Sequence, residues 1–138
     1  MARNVTIDAA AIARKSKRTL QTVFHEVTMD LAFEVVKATP WKTGFLRGSW
    51  FTELNNPGTP LASVEEDPSG AYTVARLSAK ITEARIGDRI YVMNGAKYAK
   101  FLEHGTQHIA PRAFVRGTVN RAGAIAKRTL ARIKAKET

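Results

Sequence analysis

Apolar positions along the chain alternate between helical and extended spacing. From Asp8 to about Ala38, the residues Ile12, Leu20, Val23, Phe24, Val27, Leu31 and Val35 recur mostly three and four apart, which sets them on one face of a long N-terminal helix. Thr6 or Asp8 offers a side-chain oxygen to cap its start. Pro40 ends it, because the residue before a proline is pushed out of the α region. After Trp41 and the turn residues Lys42, Thr43 and Gly44, the short aromatic run from Phe45 to Thr52 reads as a strand. Asn55 to Gly70 has no sustained period and holds three of the five prolines. A structureless stretch of this length is uncommon in a compact domain, so residues 55–70 are expected to form a loop or arm that touches a neighbour.

Val74, Leu77, Ile81 and Ala84 return to helical spacing and predict a second helix over Ala71–Arg85, with Ser69 at the N-cap position. Gly87 and Asp88 turn the chain into a β-branched and aromatic run, Arg89–Asn94, which predicts a second strand ended by Asn94-Gly95. Ala96–His104 carries Tyr98, Phe101 and Leu102 ahead of Gly105, about two helical turns closed by a C-cap glycine. Thr106 to Arg112 reads as a loop. From Phe114 to Ile133 the apolar spacing then supports one last helix, over about residues 113–134, running through Gly117 and Gly123. The expected architecture is α+β in a single domain over residues 1–138: a long N-terminal helix, a small, mainly antiparallel sheet, short helices and a basic C-terminal helix.

Charge changes this picture most at the C-terminal end. The 138 residues carry 22 Lys and Arg against 12 Asp and Glu, a net charge of +10, and residues 106–138 alone contribute +7. Such a balance favours an acidic partner: nucleic acid, an anionic surface or an acidic protein. Arg116, Arg121, Lys127, Arg128 and Arg132 are the candidate contacts to DNA or an acidic partner, and a non-specific nucleic-acid-binding protein is one reading of the chain. No DNA-reading motif or interleaved stacking aromatics accompany them, which argues against sequence-specific recognition. The absence of cysteine excludes disulfide scaffolds, thiolate zinc sites and cysteine nucleophiles. No apolar run is long enough to span a membrane, and Met1 to Ile12 lacks the pattern of a secretory leader, so a cytosolic site of folding and no membrane partner are expected.

Catalytic constellations are missing from the pattern. His104 and His108 stand four apart, but Gly105 between them breaks the helix that would bring them together, and no third metal ligand is identifiable. Both read as surface or interface residues. No nucleophile elbow and no phosphate-binding glycine loop occurs. Glu65, Glu66 and Asp67 lack calcium-loop spacing and read as a solvated loop or as salt-bridge partners for a basic neighbour. No enzyme activity and no cofactor are expected.

Two blocks carry a resemblance. Thr39-Pro-Trp-Lys-Thr-Gly-Phe-Leu-Arg-Gly-Ser-Trp50 resembles the T-P-v-D-T-G-x-L-R-x-S-W block of the tail-component and tail-completion proteins of long-tailed bacteriophages. Tyr98-Ala-Lys-Phe-Leu-Glu-His-Gly-Thr106, followed by Ala110-Pro-Arg-Ala-Phe-Val-Arg116, resembles their Y-A-x-x-L-E-x-G block with its downstream A-P-x-x-x-V-R. The segments between them are similar to the branch that includes the phage lambda member, and the likeness runs from about residue 20 to 120. Lys42 stands where the family often has Asp, so no salt bridge is carried over from that position.

The resemblance implies a small, non-catalytic virion protein at or near the head-to-tail junction, assembled in the host cytoplasm. It further implies a homo-oligomeric ring, hexameric by the symmetry of the tail and otherwise dodecameric, in contact with other neck and tail proteins and with channel DNA. On that reading the candidate oligomer or partner contacts are Trp41, Leu46, Arg47, Pro57, Glu65, Glu66, Asp67, His104 and His108.

Overall fold

The computed structural model describes residues 19–40, 44–58, 64–97, 99–107 and 112–136. Its elements are α1 (Thr19–Ala38), α2 (Phe45–Gly48), β1 (Trp50–Leu54), α3 (Ala71–Ile81), β2 (Ile90–Asn94), α4 (Ala99–His104), α5 (Phe114–Asn120) and α6 (Ala122–Lys136). The arrangement is α+β, with an N-terminal helix and a two-stranded antiparallel sheet.

Helix α1 is the spine. It packs against α3, α5 and α6, and α3 packs in turn on β1. The helix stops at Ala38, before Pro40, and the Thr39 hydroxyl donates to Val35 O at 2.6 Å. The earlier part of the expected helix, with its caps Thr6 and Asp8, lies outside the described residues. The core joins Ala32, Val35 and Val36 of α1 to Leu46, Trp50, Leu77, Ile81 and Phe114. Trp50 and Phe114 meet edge to face, with ring centroids 6.3 Å apart. A second, smaller cluster joins Val23 and Val27 of α1 to Ala126 of α6, flanked by Leu31, Leu130 and Ile133.

The strand expected over Phe45–Thr52 is corrected in its first half. Phe45–Gly48 forms a helical turn, and β1 starts at Trp50. Gly44 takes a left-handed conformation (φ 83°) to begin the turn, and the Ser49 hydroxyl donates back to Phe45 O at 2.7 Å to close it. The register then pairs Trp50 with Asn94, Thr52 with Val92 and Leu54 with Ile90. Trp50, Phe51 and Thr52 are all buried, so both faces of the strand are covered where it begins. Beyond the last pair, Asn55 N–H donates to Arg89 O at 2.7 Å and extends the ladder.

Residues 64–70, part of the segment expected as a loop or arm over 55–70, form a loop docked on the body. Asp67 N–H donates to Gly44 O at 2.9 Å. A Cβ on Gly44 would lie 2.3 Å from Pro68 N, and one on Gly48 2.2 Å from Glu65 O, so the close approach requires both glycines. Residues 59–63 lie outside the described residues. Helix α3 ends at Ile81 rather than Arg85 because Thr82, Glu83 and Ala84 close a turn back onto Ser78, Lys80 and Ile81. Ser69 accepts from Ala71 N–H at 3.2 Å as expected of a cap, although the residue at the cap position is Gly70. The single last helix expected over 113–134 is two helices, α5 and α6, broken at Arg121 (φ −94°, ψ 0°).

Candidate functional site

The first resembling block forms one structural knot. Trp50 Nε1 donates to Thr39 Oγ1 at 2.9 Å inside the core, tying the end of α1 to the start of β1. Arg47 donates to three carbonyls from two segments: Nε to Thr39 O at 2.9 Å, Nη2 to Lys37 O at 2.8 Å and Nη1 to Pro68 O at 2.6 Å. Burial lowers the Arg47 pKa, and the nearby Asp67 charge offsets part of that effect. Leu46 is buried in the core. Leu46, expected as a partner contact, is thus a core residue, and the partly exposed Arg47 ties together the segments around it.

Asp67, also expected as a partner contact, is only 5% exposed. Its Oδ2 accepts from both the Thr73 backbone N–H and the Thr73 hydroxyl, each at 2.8 Å, so it caps α3 from a distance. Burial pushes the Asp67 pKa up, but the hydrogen bonds from Thr73, Gly70 and Ser69 outweigh it and hold the carboxyl below its ordinary value. Glu65, Glu66 and Pro57 are exposed, and Trp41 lies outside the described residues.

A second knot forms from the second block. Glu103, at the end of α4, is buried, and its carboxylate accepts from Val115 N–H at 2.8 Å and from Arg116 N–H at 3.0 Å. These are backbone donors of the first turn of α5, whose own cap residue Ala113 has no side-chain acceptor. The Arg116 guanidinium, expected to contact DNA or an acidic partner, returns to the same carboxylate at 3.2 Å with its side chain 55% exposed. Gly105 N–H closes α4 on Phe101 O at 2.8 Å. His104 is exposed, and His108 and Tyr98 lie outside the described residues.

Three further arginines expected to meet DNA or an acidic partner pair with acids of α1 while their side chains stay exposed. Arg121 and Arg128 pair with Glu34 at 3.7 and 3.0 Å, and Arg132 pairs with Glu26 and Asp30 at 3.3 and 3.1 Å. The hydrogen bond to Glu26 pushes the Arg132 pKa up, partly opposed by desolvation and supported by Asp30. The buried Thr129 hydroxyl donates to Asp30 as well. Lys127 is exposed and has no acidic partner among the described residues. The acids were discoverable: Glu26, Asp30 and Glu34 are spaced four apart, a stripe along one face of α1. On α1, Gln21 and His25 also converge on Ala84 O, at 2.6 and 2.7 Å, and fix the turn after α3.

Between α1, the sheet and α5 lies an open apolar groove of about 370 Å³, whose walls include Phe24, Leu31, Trp50, Val92 and Val119. Its polar lining is Thr28 and Thr118, whose hydroxyls donate to Phe24 O and Phe114 O of their own helices. Among the described residues no titratable side chain lines it, so they give the groove shape and apolar surface without acid–base groups. Among the described residues no cluster of three or more His, Asp or Glu is placed to hold a metal. Among those residues, too, no helix is long and apolar enough to cross a membrane. No family model, curated protein or solved structure matches the chain.

Proposed function

We propose that this chain is a non-catalytic virion structural protein of the neck or tail-completion region of a long-tailed phage. It acts as one subunit of a ring at the head-to-tail junction, hexameric or else dodecameric, bound to other neck and tail proteins around the DNA channel. Assembly takes place in the bacterial host cytoplasm.

The observation that carries this reading is the knot between Glu103 and the Val115-Arg116 pair. Glu103 of the Y-A-x-x-L-E-x-G block and Arg116 of the downstream A-P-x-x-x-V-R stand 13 residues apart, yet they meet as one unit. The first block likewise places its Thr39, Arg47 and Trp50 in one hydrogen-bonded cluster. Motif residues that depend on each other in space support the resemblance, and the assembly role is what that resemblance implies. Non-specific contact with channel DNA then falls to exposed cations outside the paired set, Lys127, Lys134 and Lys136. The alternative of a free nucleic-acid-binding protein is weakened by the engagement of Arg116, Arg121, Arg128 and Arg132 with acids.

Electron microscopy of lysates from a phage lacking only this chain tests the proposal. Filled heads beside separate tails, joined into infectious particles on adding the purified protein, are the expected result. Tails of irregular length would move the role to tail assembly, and normal infectious particles would overturn the structural reading.

A further inference from the structure

Strand β2 leaves one edge of the sheet open. Asn55 N–H donates to Arg89 O at 2.7 Å and Gly95 N–H to Ser49 O at 3.1 Å, which sets the alternation of the ladder. The backbone groups of Tyr91 and Met93 face β1, and those of Ile90, Val92 and Asn94 face outward. No described residue pairs with these outward groups. The outer edge of β1 is closed by contrast. The Arg76 guanidinium donates to Trp50 O at 2.6 Å and to Gly48 O at 3.0 Å, and Asn56 N–H donates to Leu54 O at 2.8 Å. Ile90-Tyr91-Val92-Met93-Asn94 carries no charge, proline or bulge to discourage a further strand.

The open edge borders the apolar groove, because Ile90 and Val92 line that groove together with Phe24 and Leu31 of α1 and Val119 of α5. An extended segment laid on β2 sends alternate side chains to the groove face. It fits when those side chains are apolar and uncharged, since no titratable group among the described residues waits to meet a charge.

The chain itself carries such a segment. Eighteen residues precede Thr19, and among them Val5-Thr6-Ile7 alternates β-branched apolar side chains about a threonine, with no charge between Arg3 and Asp8. Residues 41–43, 59–63 and 108–111, also outside the described residues, lack this alternation. Strand β2 runs alongside α1 in the same sense: Gln21 accepts from Ile86 N–H at 3.2 Å just before β2, and Trp50, opposite Asn94, reaches Thr39 at the end of α1. The groove therefore extends from Phe24 toward Val35, on the C-terminal side of Thr19. The helical spacing that reads back to Asp8 sets Ile7 roughly 18 Å beyond Thr19 on the opposite side, away from its own groove.

We infer that Asn4–Ile7 of one copy adds as a third strand to the outer edge of β2 on a second copy, with Val5 and Ile7 seated in the apolar groove. Donor and acceptor are different surfaces, so the contact is head-to-tail and closes a ring when it repeats by rotation. The inference deepens the assembly reading and rests on it for the purpose of the contact. Its test uses the purified chain alone, so its failure is distinct from a failure of the phage experiment.

Amide hydrogen exchange of the unaltered chain, quenched and read by NMR of the unfolded protein, reports the edge directly. The Ile90, Val92 and Asn94 amides are expected to exchange about tenfold or more slowly where sedimentation shows oligomers than where it shows monomer. The full chain carrying Val5→Asp and Ile7→Asp is expected to associate about a hundredfold more weakly and to lose that protection, with the urea midpoint of the monomer unchanged. Thr6→Asp, on the opposite face of the added strand, is expected to associate as the unaltered chain does. Monomer at every concentration, oligomers without slowed exchange at these three amides, or equal protection in the monomer overturns the inference. So does association that survives Val5→Asp and Ile7→Asp, the result expected if β2 pairs with β2 of another copy. The exchange comparison on the unaltered chain decides the matter should a variant misfold.

Discussion

Arg116 donates three hydrogen bonds to Glu103: its backbone N–H and Nε to Oε2 at 3.0 and 3.2 Å, and its Nη2 to the main-chain O at 3.2 Å. The two residues contribute unequally. The Glu103 side chain is 8% exposed and also satisfies Val115 N–H, whereas the Arg116 side chain is 55% exposed. Removing the carboxylate strands two partly buried backbone donors at the start of α5, while removing the guanidinium leaves the carboxylate with those same donors. Glu103→Ala is expected to cost about 3 kcal/mol and Arg116→Ala about 1 kcal/mol, measured by urea unfolding. Equal costs would mean that the ion pair, rather than the cap, holds α5.

Asp67 gives the fold a specific acid sensitivity. Its folded pKa lies below the ordinary value of 3.8, so the unfolded chain takes up the proton first as pH falls. The stabilisation it provides is complete above about pH 5, begins to fade through the unfolded value near 4, and is gone below the folded value. Asp67→Asn keeps one acceptor for Thr73 but removes the charge. The stability difference between the native chain and Asp67→Asn is expected to be constant from neutral pH to about 5 and to shrink toward zero in stronger acid. Unfolding midpoints measured across that range check it, and a difference independent of pH would remove the carboxylate from the account.

Local signals explain which features were legible. Pro40 ends α1, Gly105 closes α4, and the β-branched run at Ile90–Asn94 makes a strand, because each depends on residues adjacent in the chain. The turn at Phe45–Gly48 was hidden, since its cause is the docking of Asp67 and Pro68 against Gly44, more than twenty residues away. The same distance hid the fate of the arginines. A stripe of three acids spaced four apart on α1 and the arginines Arg128 and Arg132 on α6 are visible separately, but their pairing depends on how two distant helices cross. Of the candidate site, Glu65, Glu66, Pro57 and His104 are exposed, Leu46 and Asp67 are buried, and Arg47 and Arg116 make contacts within the fold from partly or fully exposed positions.

Thr52 is a site where the native residue opposes stability. Its hydroxyl is buried in β1 and has no hydrogen-bond partner among the described residues, opposite Val92 in the sheet. Thr52→Val keeps the shape and the β-branched rotamer while removing the unsatisfied group. A gain of about 1 kcal/mol is expected, seen as a higher urea midpoint with an unchanged slope. A loss would show that the hydroxyl meets a partner in solution.

Thr39 and Trp50 form the buried link on which the first block turns. The Thr39 hydroxyl accepts from Trp50 Nε1 and donates to Val35 O, so both of its hydrogen-bonding roles are used inside the core. Thr39→Val strands the indole N–H and is expected to cost about 2 kcal/mol. Trp50→Phe removes the N–H and also leaves a cavity beside Phe114, at about 2–3 kcal/mol. Once Trp50 is phenylalanine, the valine at position 39 no longer strands a donor, so the double variant should be more stable than the sum of the two single losses implies, by about 1 kcal/mol. Strict additivity would separate the two residues energetically despite the 2.9 Å between them, and would leave Arg47 as the element that fixes the end of α1 to α2 and to the loop at Pro68.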